Sequence, residues 1–180
     1  MPFPRRDVPA IVETKRLVLR PFTLDDVPAY AAIRAKPEVM RLFPPPDETP
    51  AEGACRVIAH FMGHWLDSGY GPWAAIDKRT GLLIGHLGLR YMPEFGETEI
   101  LYILDSTVWR QGLASEGAAA ARDHAFGALG LDRIMAIALP ENIASTGVMT
   151  KIGMRFEKMA TYKDLTVAYY ALNKRDRRTA

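Results

Sequence analysis

Two stretches of this chain combine residue types and spacings that could do chemistry. The first, Trp109-Arg110-Gln111-Gly112-Leu113-Ala114-Ser115-Glu116, lies between the apolar run Ile100 to Leu104 and the Ala-rich stretch Gly117 to Leu129. A strand that turns through a glycine directly into a helix leaves the first helical N–H groups without intrahelical acceptors. The helix dipole adds partial positive charge at the same end. Gly112 and Ala114 carry so little side chain that a bulky anion can reach the backbone, and pyrophosphate is the natural guest of such a cradle. An ordinary strand-to-helix connection has the same local composition. The second stretch runs from Pro140 to Met154 and places Asn142 and Ser145 at the start of a helix, where either side chain can cap the backbone.

Strand alternation places a third group. In Glu97-Thr98-Glu99-Ile100-Leu101-Tyr102, Glu97, Glu99 and Leu101 share one sheet face and Thr98, Ile100 and Tyr102 the other. A carboxylate on a half-buried strand has its pKa raised by desolvation, as a general base requires. A solvated strand glutamate is the competing reading for Glu99, and Glu97 is read as structural.

The elements that position these groups follow from periodicity. Leu17 to Leu19 reads as a strand ending at Pro21. Thr23 and Asp26 open a helix reaching about Lys36, with Pro37 as its stop. Thr49-Pro50-Ala51-Glu52 is a capping box with proline at the first helical position. Ala54, Ile58, Phe61 and Trp65 follow at helical spacing up to Gly69. Apolar runs at Trp73 to Ile76, Leu82 to Leu89, Ile100 to Leu104, Arg133 to Ala138 and Thr166 to Leu172 read as strands. Helices over Gly112 to Leu129 and Ile143 to Ile152 separate the later ones. The order is a helical pair, a meander, then strand-helix-strand-helix-strand-strand, which predicts an α+β domain with helices on a mixed sheet. Leu113, Gly117, Ala121, Ala125 and Leu129 share one mostly small helix face, suited to close packing on that sheet.

Other residues carry weaker signals. His60 and His64 have metal-pair spacing but lack the glutamate of a metalloprotease motif, so they are read as solvent or interface histidines. No metal is expected. Cys55 has no neighbouring base in sequence and is read as a packing residue. Arg20, Phe22, Arg34, the loop Phe43 to Asp47 and the turn Tyr91 to Phe95 are candidates for an acceptor side.

At 180 residues, 48% hydrophobic and 24% charged, the chain is one domain able to bury a core. A net charge of +2 argues against nucleic-acid binding, although Lys174 to Arg178 gathers positive charge. One cysteine excludes an internal disulfide. The start, Met1 to Asp7, lacks the apolar core of a signal peptide and no run approaches a membrane span, so a cytoplasmic protein is expected.

Together the two stretches resemble the GNAT superfamily of acyl-coenzyme A dependent N-acetyltransferases, in particular the branch containing the RimJ and RimL ribosomal-protein N-terminal acetyltransferases. Gly112 and Ala114 match the pyrophosphate loop Q/R-x-x-G-x-G/A, with Trp109 in place of the leading Gln or Arg. Asn142, Ser145, Val148, Lys151 and Gly153 match N-x-x-S-x-x-V-x-x-K-x-G-F, with Met154 where Phe is usual. Thr14 to Pro21 and Gly85 to Arg90 also fit, so the resemblance runs from about Thr14 to Leu172. It implies the GNAT fold over 14–172, flanked by an extended segment (1–13) and a basic tail (173–180). It further implies acetyl-coenzyme A as co-substrate, held by Leu104 on a strand that parts from its neighbour, by Gln111, Gly112, Leu113, Ala114 and Ser115 at the cradle, and by Asn142. Direct attack of an amine on the thioester follows, the acceptor being a protein N-terminus or a small molecule. Glu99 aligns with the branch's acidic residue and is the candidate base. The tyrosine that many members use to protonate the thiolate is replaced by Met149, which shifts attention to Ser145, with Tyr102 in reserve. A non-catalytic acyl-coenzyme A sensor of the same fold is the alternative. A nucleotide-binding module is weakened by the absence of a P-loop. Oligomeric state is open, a homodimer included.

Overall fold

The structure, a computed structural model, describes residues 10–43 and 47–176. Pro44 to Pro46 of the acceptor-side loop, the first nine residues and the end of the basic tail lie outside the described residues. The chain runs β1 (Val12–Glu13), β2 (Leu17–Arg20), α1 (Val27–Arg34), α2 (Pro37–Met40), α3 (Pro50–Ser68), β3 (Pro72–Asp77), β4 (Leu83–Met92), β5 (Glu97–Leu104), α4 (Leu113–Phe126), β6 (Arg133–Ala138), α5 (Ile143–Lys151), β7 (Arg155–Tyr162) and β8 (Leu165–Asn173). The strands form one eight-stranded sheet in the order β1-β2-β3-β4-β5-β6-β8-β7. Every neighbouring pair is antiparallel except β5 and β6, which run parallel. This is the mixed sheet with flanking helices that the sequence predicts.

Local chemistry accounts for the boundaries. Thr49 accepts from the Glu52 N–H while the Glu52 carboxylate accepts from the Thr49 N–H at 2.8 Å, so the capping box opens α3. Gly69, left-handed at φ 73°, closes it. The stretch after Thr23 departs from expectation. It begins as a 3-10 turn over Leu24–Asp26, α1 ends at Arg34, and Pro37 starts α2 as well as stopping what precedes it. Proline forces the residue before it out of the helical region, so Lys36 is extended, yet its own fixed φ suits a first helical position. β7 has no apolar run to announce it because most of its residues are exposed.

Two cores flank the sheet. Leu87, Leu89, Ile100 and Leu104 pack under α4, together with Leu113, Ala118, Ala121 and Ala125. On the opposite face Phe22, Tyr30, Ala54, Ile58 and Phe61 pack with Ala74 and Leu101 under α1 and α3. Cys55 falls outside this core: it is exposed, against the sequence reading, because it faces away from the Ala54–Ile58 stripe.

The small face of α4 permits its approach to the sheet. A Cβ on Gly117 would lie 2.1 Å from Leu87 Cδ2, and Leu87 is fully buried with no room to yield. Replacing a mid-helix glycine by alanine normally gains about 1 kcal/mol, whereas overpacking a core costs about 1–3 kcal/mol. Gly117→Ala is therefore expected to lower stability, read as a lower urea midpoint at unchanged slope. A raised midpoint would show that α4 does not lie where packing places it.

Candidate active site

β5 and β6 pair at one point, Glu99 with Met135. Beyond it β5 continues to Leu104 and β6 to Ala138 without further pairing, and a cleft of about 990 Å³ opens there. Glu99, Ile100, Leu101, Tyr102 and Ile103 line it from β5, and Ile137 and Ala138 from β6. Asn142, Ser145 and Met149 line it from α5, while Tyr30, Arg34, His60, Phe61, His86 and Arg90 line it from α1, α3 and β4.

Glu99 thus sits where the strands part. It is 4% exposed and cross-strand from Arg90, whose Nη2 donates to Glu99 Oε2 at 2.5 Å. Burial pushes the Glu99 carboxyl above its usual range, and the Arg90 guanidinium only partly opposes this. Among the described residues Oε1 has no partner and is left to accept a proton. Glu97, on the same face, is tied up structurally: it accepts from Arg133 Nε at 2.9 Å and from the Tyr169 hydroxyl at 2.8 Å.

Tyr102 and Ser145 come together on the other face. The Tyr102 hydroxyl donates to the Ser145 carbonyl at 2.9 Å, and the two hydroxyl oxygens lie 3.0 Å apart. A phenol has one proton. With that proton on the carbonyl, the Ser145 hydroxyl is the donor in the second contact. Burial pushes the Tyr102 pKa up to about 12. Asn142 Oδ1 accepts from the Ser145 N–H at 3.1 Å, so Asn142 caps α5 and fixes the backbone that holds Ser145. Met149 is buried and lines the cleft without a proton to give.

The turn from Gln111 to Ser115 is not among the residues lining this cleft. It follows β5 past Leu104, whose carbonyl accepts from the Trp109 indole N–H at 2.8 Å. Gly112 is left-handed at φ 78° and no side chain caps α4, so the first-turn N–H groups have no protein acceptor among the described residues. The carboxylate of that turn faces elsewhere: Glu116 accepts from the Arg16 N–H at 2.8 Å, from Arg16 Nε at 2.6 Å and from the Thr14 hydroxyl at 2.6 Å. Arg16 Nη1 also donates to the Gln111 carbonyl at 2.8 Å. The cradle is thereby braced from the turn between β1 and β2 and left electropositive. These donors suit a pyrophosphate, with no protein anion competing for them.

Several acceptor-side expectations sort out. Arg34 lines the cleft, but Arg20 is ion-paired to Asp26 at 2.7 Å, Phe22 is core, and the turn Tyr91 to Phe95 lies off the cleft. His64 is a bracket, its Nδ1 2.7 Å from the Tyr70 carbonyl and its Nε2 accepting from the Tyr91 N–H at 3.0 Å, whereas His60 lies on the cleft. Sequence reasoning missed His86 and Tyr30, which are fully enclosed and joined at 2.8 Å through His86 Nδ1 and the Tyr30 hydroxyl. Burial lowers the His86 pKa to about 3, so the ring is neutral. Only its place on the Glu99 face of β4, four residues before Arg90, could have signalled it. No group of metal-ligating side chains is present among the described residues. Nor is any helix there long and apolar enough to cross a membrane.

Residues 16–155 match the family model described as the acetyltransferase (GNAT) domain. An uncharacterized N-acetyltransferase of Bacillus subtilis, YoaA, is 32% identical over 148 residues, covering 82% of this chain and 84% of its own. Among solved structures, an acetyltransferase from Agrobacterium tumefaciens C58 superposes with a TM-score of 0.79 at 30% identity, over 91% of this chain and 94% of that one. Mycobacterium smegmatis RimJ, solved in complex with a coenzyme A disulfide, gives 0.78 at 20% identity, over 91% and 85%, a likeness of fold alone.

The Glu99 environment has a consequence for stability. A carboxyl whose folded pKa is raised binds its proton more tightly in the native state. Its contribution is present below the unfolded value and is lost as pH rises through the folded one. Wild-type stability, measured against Glu99→Gln by urea unfolding from about pH 4 upward, is expected to fall through that window. A relative rise would place Glu99 under the control of Arg90 rather than of burial.

Proposed function

The chain belongs to the GNAT acetyltransferase family, and we propose that its cleft brings acetyl-coenzyme A and a primary amine together through the gap between β5 and β6. The observation that carries this reading is the position of Glu99 at the point where the strands part, with the Tyr102–Ser145 pair on the opposite face. The coenzyme pyrophosphate takes the first-turn N–H groups of Leu113, Ala114 and Ser115. Its pantetheine arm runs along the parted edge of β5 toward Tyr102, past Asn142. The amine reaches the thioester from the α1 and α3 face.

The chemistry then divides between the two faces. Glu99 takes a proton from the ammonium, directly or through one water, and the free amine attacks the thioester carbonyl. The C–N bond forms, the nitrogen of the adduct gives its second proton to solvent, the C–S bond breaks, and the sulfur departs as thiolate. A thiol has a pKa of roughly 8.5, well below the value of about 12 for Tyr102, so full proton transfer from tyrosine to thiolate is uphill. Tyr102 instead donates a hydrogen bond to the developing charge, turning its proton from the Ser145 carbonyl to the sulfur, while the Ser145 hydroxyl supports the phenol oxygen. Ser145 is a positioning residue in this scheme, and solvent supplies the final proton. No protein nucleophile is required, which agrees with Cys55 being exposed and not among the residues lining the cleft.

Three outcomes are expected. Acetyl-coenzyme A binds in a calorimetric titration, and Ser115→Glu weakens it by tenfold or more without loss of helix, because a first-turn carboxylate favours the helix dipole while repelling the pyrophosphate. Unchanged affinity would remove the cradle from the account. Gly112→Val is the poorer probe, since φ 78° strains a β-branched residue whatever binds. Tyr102→Phe, with coenzyme binding intact, lowers kcat by about a hundredfold to a thousandfold, in line with loss of one donor to a developing anion. That deficit is constant from about pH 6 to about pH 9, because the Tyr102 pKa lies near 12. A deficit that changes tenfold across that range would make the tyrosine a titrating acid.

A further inference from the structure

Arg34 is a cation that makes no ion pair among the described residues, its nearest acid, Glu48, acting on it only at longer range. It lines the cleft from the end of α1, with its guanidinium carbon 5.8 Å from the centre of the Tyr30 ring one helical turn earlier. Among the described residues no carboxylate lies within ion-pair distance of it, and its Nε is enclosed with no acceptor. Two acids besides Glu99 face the same space: Asp47, which makes no ion pair with Arg34, and Glu48, which is held by Arg56 through both of its oxygens and feels Arg34 only secondarily. The other arginine of this wall, Arg90, is ion-paired to Glu99 through Nη2, although its Nε too has no acceptor, so what sets Arg34 apart is the missing ion pair. A half-buried cation without an ion-paired carboxylate is costly to keep, and a buried donor left unbonded in a native structure calls for an explanation. A guanidinium presents a planar fork that matches a carboxylate.

The sheet decides which anion this is. Tyr30 and Phe61 pack on the Leu101 face, whereas α4 and its uncapped N-terminus pack on the Ile100 and Leu104 face. Arg34 therefore stands across the sheet from the pyrophosphate cradle and on the same side as Glu99. We propose that Arg34 binds a carboxylate belonging to the acceptor itself, so that the acceptor is an amino acid or a closely similar amino carboxylate, with its amine at Glu99 and its carboxylate at Arg34. This rests on the acetyl-transfer reading above and narrows its acceptor.

The test uses matched acceptors that differ only by the carboxylate: leucine with isoamylamine, phenylalanine with phenethylamine, methionine with 3-(methylthio)propylamine, and lysine with cadaverine. Release of free thiol from acetyl-coenzyme A is followed with the wild-type protein. In at least one pair the carboxylated member should show a kcat/KM at least tenfold higher. For that acceptor Arg34→Met should raise KM by about tenfold to a hundredfold, the range expected for one charge-assisted contact. Its kcat should stay within a few fold and acetyl-coenzyme A affinity should be unchanged, with Arg34→Lys recovering part of the loss. Equal or better turnover of the amines lacking a carboxylate overturns the proposal, and the wild-type comparison decides this even if Arg34→Met does not fold. A fall in kcat without a rise in KM overturns it too. So does a protein that binds acetyl-coenzyme A yet turns over no member of the panel, an outcome that leaves the coenzyme reading standing. A protein that binds no acetyl-coenzyme A takes both down.

Discussion

The molecule is organised around one interruption of sheet pairing. Parallel strands β5 and β6 meet at Glu99 and Met135 and then part, in a sheet whose other neighbours pair along their ladders with only single register shifts in β3–β4 and β7–β8. Unpaired backbone N–H and C=O groups at the centre of a sheet are costly unless something satisfies them. The gap has its own supports: the Trp109 indole bonds the Leu104 carbonyl, Lys36 is ion-paired to Asp105 at 2.6 Å just beyond β5, and Asn142 fixes the start of α5. In the proposed reading the remaining edge is satisfied by the amides of a pantetheine arm.

From the parting follows the division of chemistry. Because strand side chains alternate, neighbouring positions on β5 address opposite faces. Glu99 looks toward α1 and α3, and Tyr102 toward α4 and α5. In an unbroken sheet these groups would serve separate compartments; a gap between the strands lets both reach one bond. The two faces also differ electrically. One offers uncapped helix N–H groups braced by Arg16 and Glu116, and the other holds Glu99, Arg90 and Arg34, the last without an ion pair among the described residues. Burial sets the proton affinities in the same sense on both sides, raising the carboxyl of Glu99 and the phenol of Tyr102.

Much of this was legible in sequence because the signals are local. The capping box at Thr49, the alternation through Glu99 and Tyr102, the small face of α4 and the glycine turn into it each depend on a few adjacent residues. What was not legible depends on distant ones. β7 enters the expected order as one of two closing strands but without bounds, because an exposed strand carries no apolar run. Pro37 reads equally as a stop and as a first helical residue, and only the tertiary path decides. His86 and Tyr30 lie 56 positions apart, so neither announces the other. The pairing of Tyr102 with Ser145, 43 residues apart, turned two competing candidates into one unit. Arg34 lay among the acceptor-side candidates, but its lack of an ion pair among the described residues could be known only once Glu48 was seen bound to Arg56. Cys55, read as a packing residue, is exposed because it lies about 100° around the helix from the buried Ala54–Ile58 stripe.

The most direct measurement of the central claim is a crystal structure of the protein with coenzyme A. The account predicts the pyrophosphate on the N–H groups of Leu113 to Ser115 and the arm between β5 and β6. The sulfur should lie within hydrogen-bonding reach of the Tyr102 hydroxyl, on the α4 and α5 side of the sheet. A coenzyme whose phosphates sit at Arg34, or whose sulfur emerges away from the gap, would contradict it.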